Sequence, residues 1–386
     1  VKIVHICSYY TEPLAKGYQV YQLAKTQITS GHEVSIVTCN REMELEEYKA
    51  YARKVNEHSY LDSSFSETGA TIHRLHVKFS LFGRNWWKGL KKKMIELAPD
   101  LLIVHNILDF QSVRVLYFSE QLRCRLIFDD HTTFNIARKG MVSNFMYSIF
   151  RLFWAKKLYD RAEKIIGISH SCMEILENKF GLKGAKLSMI SLGSDTDIFY
   201  PDNRKRKAYR EKVNVDENTL VVVYSGKINH FKKVHLIIEA LNLINKENKM
   251  DITILIAGFM EPEYANYFEA KISESINPLI QLGHVNQTVL ADIYNAADIA
   301  VWPAHTTTST LDASACGCPI ICSEYKRERY KSNNGFGIKD GDLESLTIAL
   351  DKLIKDPELR REMGRNGVEL VRNEFSWQEI SRRFLC

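Results

Sequence analysis

No run of this chain approaches the roughly 20 consecutive apolar residues that a membrane-crossing helix requires. Its opening strand pattern, Val1-Lys2-Ile3-Val4-His5-Ile6, has none of the basic, apolar and small-residue succession of a secretory signal. No Gly-x-Gly-x-x-Gly follows that strand; the chain runs Cys7-Ser8-Tyr9-Tyr10-Thr11 instead. That sets aside a hydride-transfer enzyme built on a dinucleotide fingerprint. Charge of one sign is scarce: the net charge of +5 is too small to argue for nucleic acid, no recognition motif accompanies it, and no nucleic-acid partner is expected. Internal repeats and low-complexity tracts are also missing. The eight cysteines sit mostly in apolar segments, with no small disulfide framework around them. Cys316-Gly317-Cys318 lacks the spacing of a redox pair or a tetrahedral zinc site. The expectation is reduced, buried thiols in a cytoplasmic protein. The chain starts at Val1 rather than Met and stops at Cys386 inside a helical pattern, so a longer natural protein is expected.

What is present is an ordinary folding composition, 45% hydrophobic and 26% charged over 386 residues, enough for two cores. Strand and helix patterns alternate. In the first half strands are expected at Val1–Cys7, Glu33–Thr38, Thr71–Val77, Leu101–His105, Leu126–Phe128 and Lys164–Ile168. Helices are expected near Gly17–Thr29, Trp86–Leu97, Phe110–Gln121 and Val142–Asp160. Gly193–Arg210, rich in Asp, Gly and charge, reads as a linker. The alternation restarts at Leu220–Tyr224 and continues through Ile252–Ala257, Leu279–Leu282, Ile299–Val301 and Pro319–Cys322, with helices between and after. Such alternation predicts an α/β protein of two doubly wound parallel sheets. The domains are expected at 1–200, with a crossover helix from 375–386, and at 201–374. Ligands of such sheets bind at the carboxyl ends of strands, and with two of them the cleft between is the expected active site.

Candidate site residues therefore lie just after strands. Ser225-Gly226-Lys227 follows one, and Lys232-Lys233 opens the next helix. Gly226 permits close approach of a ligand, and Lys227 and Lys232 could converge on a diphosphate as point charges; two solvated surface lysines are the plainer alternative. Thr308, Ser309 and Thr310 precede Leu311-Asp312-Ala313-Ser314-Ala315-Cys316, a short helix of small residues whose first N–H groups suit a phosphate. Asp312 could accept from ribose hydroxyls. The alternative there is ordinary capping by Ser309 or Thr310. In the first half, His131 ends Asp129-Asp130-His131, and Gly17 lies in Lys16-Gly17-Tyr18 at the first strand-to-helix turn.

The segment Trp302–Cys322 resembles the donor-binding segment of retaining glycosyltransferase family 4, the glycosyl transferases group 1. Leu311-Asp312-Ala313-Ser314-Ala315-Cys316-Gly317-Cys318-Pro319-Ile320-Ile321 stands where members carry Leu-Glu-Ala-Met-Ala-Cys-Gly-x-Pro-Val-Ile. Gly226-Lys227-Ile228 with Lys232 resembles the family's Gly-Arg-Leu…Lys signature, and Gly193–Pro201 its interdomain signature. Phe375-Ser376-Trp377 resembles the start of its last helix. The resemblance spans nearly the whole chain and is stronger from Gly193 onward. It implies a GT-B fold, two Rossmann-like domains facing across a cleft. Lys227 and Lys232 would hold the donor diphosphate, and His131 and Gly17 would lie near the donor sugar. Two departures stand out. Asp312 replaces the second acidic residue, one methylene shorter, and the first acidic place falls near Thr306, which carries no carboxylate.

The resemblance implies a hexosyltransferase that retains anomeric configuration. The donor would be a nucleotide-diphosphate sugar, UDP- or GDP-linked, and the acceptor a saccharide, glycolipid or glycoprotein hydroxyl, as in surface-glycan or glycolipid synthesis. No cofactor and no essential metal are expected: Asp129 and Asp130 are adjacent rather than spaced as Asp-x-Asp, and lysines already serve the phosphates. Aromatic and basic residues cluster at 79–93 and 145–157. They read either as a peripheral contact with the inner face of the membrane or as helices packed on the sheet with snorkelling lysines. Two further alternatives stay open: a non-catalytic nucleotide-sugar-binding or partner-stabilising subunit, and an epimerase or phosphorylase on the same fold.

Overall fold

The protein is described from a computed structural model, which covers residues 1–10, 18–40, 66–81, 83–132 and 141–386. The chain divides into two units, Val1–Leu192 with Ile380–Cys386, and Gly193–Glu379.

The first unit is built on a parallel sheet of β1 (Lys2–Ile6), β2 (Glu33–Cys39), β3 (Thr71–Leu75), β6 (Leu101–His105), β7 (Arg125–Asp130), β8 (Lys164–Gly167) and β9 (Leu187–Met189). Their order is β3-β2-β1-β6-β7-β8-β9. The central strands are buried and mostly apolar, Leu-Leu-Ile-Val before His105 in β6 for example, because helices cover both faces of a parallel sheet. The chain winds outward from β1 to β3, then returns to β6 beside β1. The order therefore reverses between β1 and β6, and their carboxyl ends form the unit's switch point.

The second unit repeats the scheme with β10 (Leu220–Ser225), β11 (Ile252–Ala257), β12 (Leu279–Gly283), β13 (Ile299–Val301), β14 (Ile320–Ser323) and β15 (Gly335–Ile338). The order β12-β11-β10-β13-β14-β15 places its switch point between β10 and β13. Every residue of β10 and β11 is buried. The α/β class and the two doubly wound parallel sheets match the expectation.

Several elements depart from the sequence reading. Val77–Trp87 is not a strand end followed by a helix. It is an antiparallel hairpin of β4 (Val77–Leu81) and β5 (Arg84–Trp87), and the helix begins only at Leu90 after Gly89 in the left-handed region. The expected helix Val142–Asp160 is two helices, Met141–Phe153 and Ala155–Arg161, parted at Trp154, whose indole N–H donates to the Tyr117 hydroxyl at 2.9 Å. Helix His170–Asn178 and strands β9 and β15 were not anticipated.

The expected linker is not one throughout. Asp202 caps a helix, Asn203–Lys212, by accepting from the backbone N–H groups of Arg204 and Lys205. Arg210 is buried from that helix, donating to Asp298 at 2.7 Å and to the Ala296 carbonyl at 2.9 Å. The division at Leu192 rather than after residue 200 has a related cause. The Ser194 N–H donates to the Phe375 carbonyl at 2.8 Å, and Phe199 is buried in the second core. The final helix, Trp377–Leu385, starts in the second unit and ends in the first, where the Leu385 carbonyl accepts from Arg125 at 2.7 Å.

Candidate donor site and the buried histidines

The loop after β10 is shaped by backbone contacts before any side chain enters. Gly226 has φ +137° and Gly258, after β11, φ +152°. A Cβ placed on Gly258 would lie 1.7 Å from the Gly226 carbonyl oxygen, so the two loops touch backbone to backbone. The Gly226 N–H donates to Ala257 and that of Ile228 to Phe259, extending the β10–β11 pairing beyond the sheet. The Tyr224 hydroxyl then donates to the Lys227 carbonyl at 2.6 Å. Lys227 is exposed on this fixed backbone.

Asn229 turns the chain next. Its side-chain oxygen accepts from the Lys232 N–H at 3.0 Å, and its amide donates to Glu261 at 2.9 Å. Lys232 is half-buried, and its Nζ donates to the His305 carbonyl, in the loop that leads from β13 into the helix Ser309–Ala315. Burial pushes the Lys232 ammonium below its ordinary value; nearby Asp340 opposes that shift, and Lys227 adds to it. The two lysines thus sense each other at the switch point, and one of them touches the loop that opens the helix.

That helix is not capped as the plainer reading has it. The cap is Thr308, with no side-chain cap bond. The Thr310 hydroxyl donates to the Thr307 carbonyl at 3.0 Å, and the Thr307 and Ser309 hydroxyls pair at 2.8 Å. Leu311 is buried. Thr306, at the place of the first acidic residue, accepts the Ser323 N–H at 2.9 Å and so ties the loop to the end of β14.

Asp312 points back toward the segment that opens this unit, accepting from the Ser194 hydroxyl at 2.6 Å. Burial pushes its carboxyl up to about 7, against the opposing pull of Ser194 and Arg329 and with a smaller push from Asp195. This group changes charge near neutrality. Beyond it, Gly317 turns the chain at φ +87°, and the Cys318 thiol donates to the Tyr294 carbonyl at 3.1 Å. All eight cysteines are unbridged.

In the first unit His131 follows β7 and is half-buried, its Nε2 2.6 Å from the Gln19 oxygen and 3.6 Å from Asp129. Burial works against its cation, but Asp129 and then Asp130 outweigh that and hold it above its ordinary value. Asp130 accepts the N–H groups of Ile107 at 3.0 Å and Thr132 at 2.7 Å, a backbone-bracing role. Asp129 faces the ring of His105 at 2.9 Å, and His105 faces His5 at 3.0 Å. Donor atoms of His105, Asp129 and His131 lie within 4.8 Å of one another. Both ring nitrogens of His105 are engaged, by His5 and by Asp129, and His131 Nε2 rests on Gln19, while Asp129 Oδ1 makes no hydrogen bond; we read a hydrogen-bonded line through His105 to Asp129 that continues to His131 as an ion-pair contact. His5 and His105 drew no attention in the sequence, because each sits inside an otherwise apolar strand. Gly17 lies outside the described residues.

The two aromatic-basic stretches differ from each other. In the first, Trp87 is buried, Trp86 stacks on Phe79 with centroids 5.6 Å apart, and Arg114 lies 4.4 Å over Trp86. These are packing contacts, with Phe79 and Leu81 left partly exposed. In the second, Tyr147 and Phe150 are buried, whereas Phe145, Leu152 and Phe153 are exposed beside Arg151.

Two family models match the chain, that of glycosyltransferase family 4 over residues 17–198 and that of glycosyl transferases group 1 over residues 205–370. Among curated relatives, a capsular polysaccharide biosynthesis glycosyltransferase, CapM of Staphylococcus aureus, is 26% identical over 239 residues, 58% of this chain and 61% of the relative. A D-inositol 3-phosphate glycosyltransferase of Gordonia bronchialis is 24% identical over 249 residues, 59% of this chain and 52% of the relative. The matches thus span between half and two thirds of these relatives' lengths. Among solved structures, Anabaena Alr3699/HepE in complex with UDP superposes with a TM-score of 0.70 at 14% identity, covering 100% of this chain and 98% of that one.

Proposed function

Since this chain belongs to the group 1 glycosyl transferases of family 4, we propose that it is a retaining hexosyltransferase. It would move a sugar from a nucleoside diphosphate, UDP- or GDP-linked, to a hydroxyl of a saccharide, glycolipid or glycoprotein. The observation that carries this reading is the reach of Lys232 from the loop after β10 to the His305 carbonyl, at the head of the loop into helix Ser309–Ala315. A fold relative that holds UDP supports it.

In this reading Lys227, Lys232 and the first N–H groups of that helix offset the charge that grows on the departing diphosphate. They accelerate the reaction only by the amount that they favour the transition state over the bound donor. The acceptor attacks on the face the diphosphate leaves, and a leaving phosphate oxygen takes the acceptor proton. No enzymic nucleophile is needed, in contrast to the carboxylate pair of a glycosidase. No cofactor enters this scheme. A thermal-shift comparison of UDP, GDP and ADP and their sugars tests it. One base at about 100 times its dissociation constant stabilises the unit by about 2.7 kcal/mol, and no shift with any diphosphate contradicts the proposal.

Asp312 is assigned to the ribose hydroxyls. The ionised carboxylate is the better acceptor, and its folded value, about 7, lies above the ordinary one. Donor affinity is therefore expected to rise as the pH rises through that value. The apo unit has the opposite trend: the raised carboxyl stabilises the fold at low pH, and this is lost as the pH rises from the ordinary carboxylate range to about 7. Asp312→Asn should weaken nucleotide binding roughly tenfold above that pH and abolish the step, as measured by calorimetry. An unchanged pH profile would remove Asp312 from the site.

One observation favours a second reading, a nucleotide-sugar-binding subunit without turnover. Thr306 carries no carboxylate, and its hydroxyl is engaged by Ser323. Donor consumption separates the two. We also propose that the exposed Phe145, Leu152 and Phe153 rest on an anionic lipid surface, at the inner face of a cytoplasmic membrane. Co-sedimentation with phosphatidylglycerol vesicles that survives Leu152→Glu/Phe153→Glu would exclude this.

A further inference from the structure

The first unit contains a continuous line of polar side chains where a parallel sheet should be driest. His5 lies within β1 and His105 at the end of β6, the two strands of the switch point, and their rings stack at 5.3 Å with 8° between planes. His105 is the register partner of Asp129 on β7. Neighbouring register partners present their side chains on one face, and residues two apart on a strand share a face. Asp129 is therefore aligned with His105 on one side and His131 on the other. The line runs from Gln27 to His5 at 2.8 Å, His5 to His105 at 3.0 Å, His105 to Asp129 at 2.9 Å, and Asp129 to His131 at 3.6 Å, with Gln19 closing on His131 at 2.6 Å. His5 and Asp129 are fully buried, and His105 is 4% exposed.

The proton positions follow from these contacts. Asp129 is held well below the usual carboxylate range: burial opposes the charge, but His105 and His131 outweigh it. The His105 nitrogen that faces Asp129, Nδ1, therefore carries a proton. Burial and the neighbouring His105 keep His5 neutral, down to about 3, so it has a single N–H. Placed on Nδ1, that proton is donated to His105 Nε2. Placed on Nε2, it is donated to Gln27, and His5 Nδ1 can accept from His105 only if that ring carries a proton on each nitrogen. Both arrangements deliver an N–H from His105 to Asp129, from a neutral ring in the first and from an imidazolium in the second. Asp129 is thereby fixed as an anion: its Oδ2 takes the His105 N–H and is also the oxygen nearest His131, at 3.6 Å, while its Oδ1 makes no hydrogen bond.

We propose that His5, His105 and Asp129 are positioning residues, a buried relay that locks His131 as a protonated, donor-only imidazolium of fixed orientation. With Nε2 on Gln19 and in ion-pair range of Asp129, the second proton of that cation sits on the remaining ring nitrogen, Nδ1, which is also a donor. Such a ring can donate to a sugar hydroxyl, and it cannot take the acceptor's proton. This sharpens the proposed mechanism, in which the leaving phosphate oxygen takes that proton. The catalytic consequence rests on the proposed donor site. The relay itself does not. Among the described residues, the charged or titratable groups that face this pair are Asp130 on the same turn, Cys7 next to β1, and Cys172 on the helix His170–Asn178. Both thiols are pushed above their ordinary values, chiefly by burial, so neither adds charge near neutrality. A metal ion bridging the same side chains would require His105 to release Asp129 or His5, which the short contacts argue against.

The test reads protonation directly in the intact chain with 15N-labelled histidine. In the wild type at about pH 7, long-range nitrogen–proton spectra should show His131 protonated on both nitrogens and His105 Nδ1 protonated. His131→Gln and His105→Gln supply the assignments. In Asp129→Asn, which keeps the shape and removes the charge, the His131 midpoint should fall by about one pH unit or more. A His131 Nε2 without a proton at about pH 7, or a midpoint unmoved in folded Asp129→Asn, overturns the relay. Should that variant not fold, the wild-type spectra alone decide. The functional consequence is read separately, from the pH dependence of UDP-glucose or GDP-mannose hydrolysis. His131 is held above its ordinary value, so activity should persist below its folded midpoint and fall as the pH rises through it. In Asp129→Asn that limb should move to lower pH. Spectra that follow the prediction while the limb stays put uphold the relay and remove His131 from the donor sugar.

Discussion

Lys232→Ala should lower turnover at saturating donor by about a hundredfold or more, the scale of losing one preorganised charge donor at a developing oxyanion. The reasoning starts from the side chain's surroundings. Its ammonium is half-buried, pushed below its ordinary value by burial, and in the free protein its hydrogen-bond partner is the carbonyl of His305. A carbonyl is a weak substitute for an anion, so a diphosphate gains more from this ammonium than water would offer it. The charge on the bridging oxygen increases as the sugar bond breaks, so the loss should appear mainly in kcat rather than in KM. The neighbour Lys233 is the control. It stands at φ +49° with its chain against Gly341, and Lys233→Ala should change kcat less than about threefold. Circular dichroism and the thermal midpoint establish that both variants are folded. Equal losses in the two would mean that general positive charge, rather than the placement of Lys232, serves the reaction.

The second large effect concerns a backbone contact. Gly258→Ala puts a methyl group 1.7 Å from the Gly226 carbonyl oxygen, at a φ of +152° that side chains rarely adopt. Overpacking costs about 1–3 kcal/mol, and an unfavourable backbone region about 1–3 more. Urea unfolding should therefore show roughly 3–5 kcal/mol of destabilisation. The obstructing atom is backbone, which cannot rotate away. Relief comes only from moving Gly226 and Lys227, so nucleotide binding should fail even in whatever fraction remains folded. Gly283 provides the comparison. Its φ is +65°, but a Cβ there meets nothing within 4 Å. Gly283→Ala should lose only about 1 kcal/mol, the cost of the backbone conformation. Matching losses at the two positions would show that the loop contact between β10 and β11 is not tight.

How much of this was legible in the sequence depended on whether the signal was local. β10 and β11 are largely apolar runs, each followed by a glycine, and they lie where the pattern put them. The helix expected to open at Lys232 begins only at His235, and Lys232 lies in the turn before it, which Asn229 fixes by accepting the Lys232 N–H. The hairpin β4–β5 was misread because its aromatics, Phe79, Trp86 and Trp87, suit a helix face as well as cross-strand packing. Only Gly83, at φ +73°, marks the turn. Helix Asn203–Lys212 was hidden by its composition: Arg210 is buried, but only because Asp298 and the carbonyls of Ala296, Asp216 and Thr219 surround it in the fold. The relay was out of reach for a more basic reason. His5 and His105 are 100 residues apart in the chain, and a polar residue inside an apolar strand gives no sign of its partner until the sheet order is known. Thr306 was correctly seen to lack a carboxylate, but its bond to Ser323 depends on β14 lying beside β13.

The central claim is that a nucleoside diphosphate sits between the lysines after β10 and the start of the helix Ser309–Ala315. A crystal structure of the chain soaked with UDP or GDP tests it most directly. The account predicts phosphate oxygens within hydrogen-bond distance of Lys232 Nζ and of the backbone N–H groups at Ser309 and Thr310, with the bond from Lys232 to the His305 carbonyl broken. Diphosphate bound elsewhere, with Lys232 still resting on His305, would contradict it.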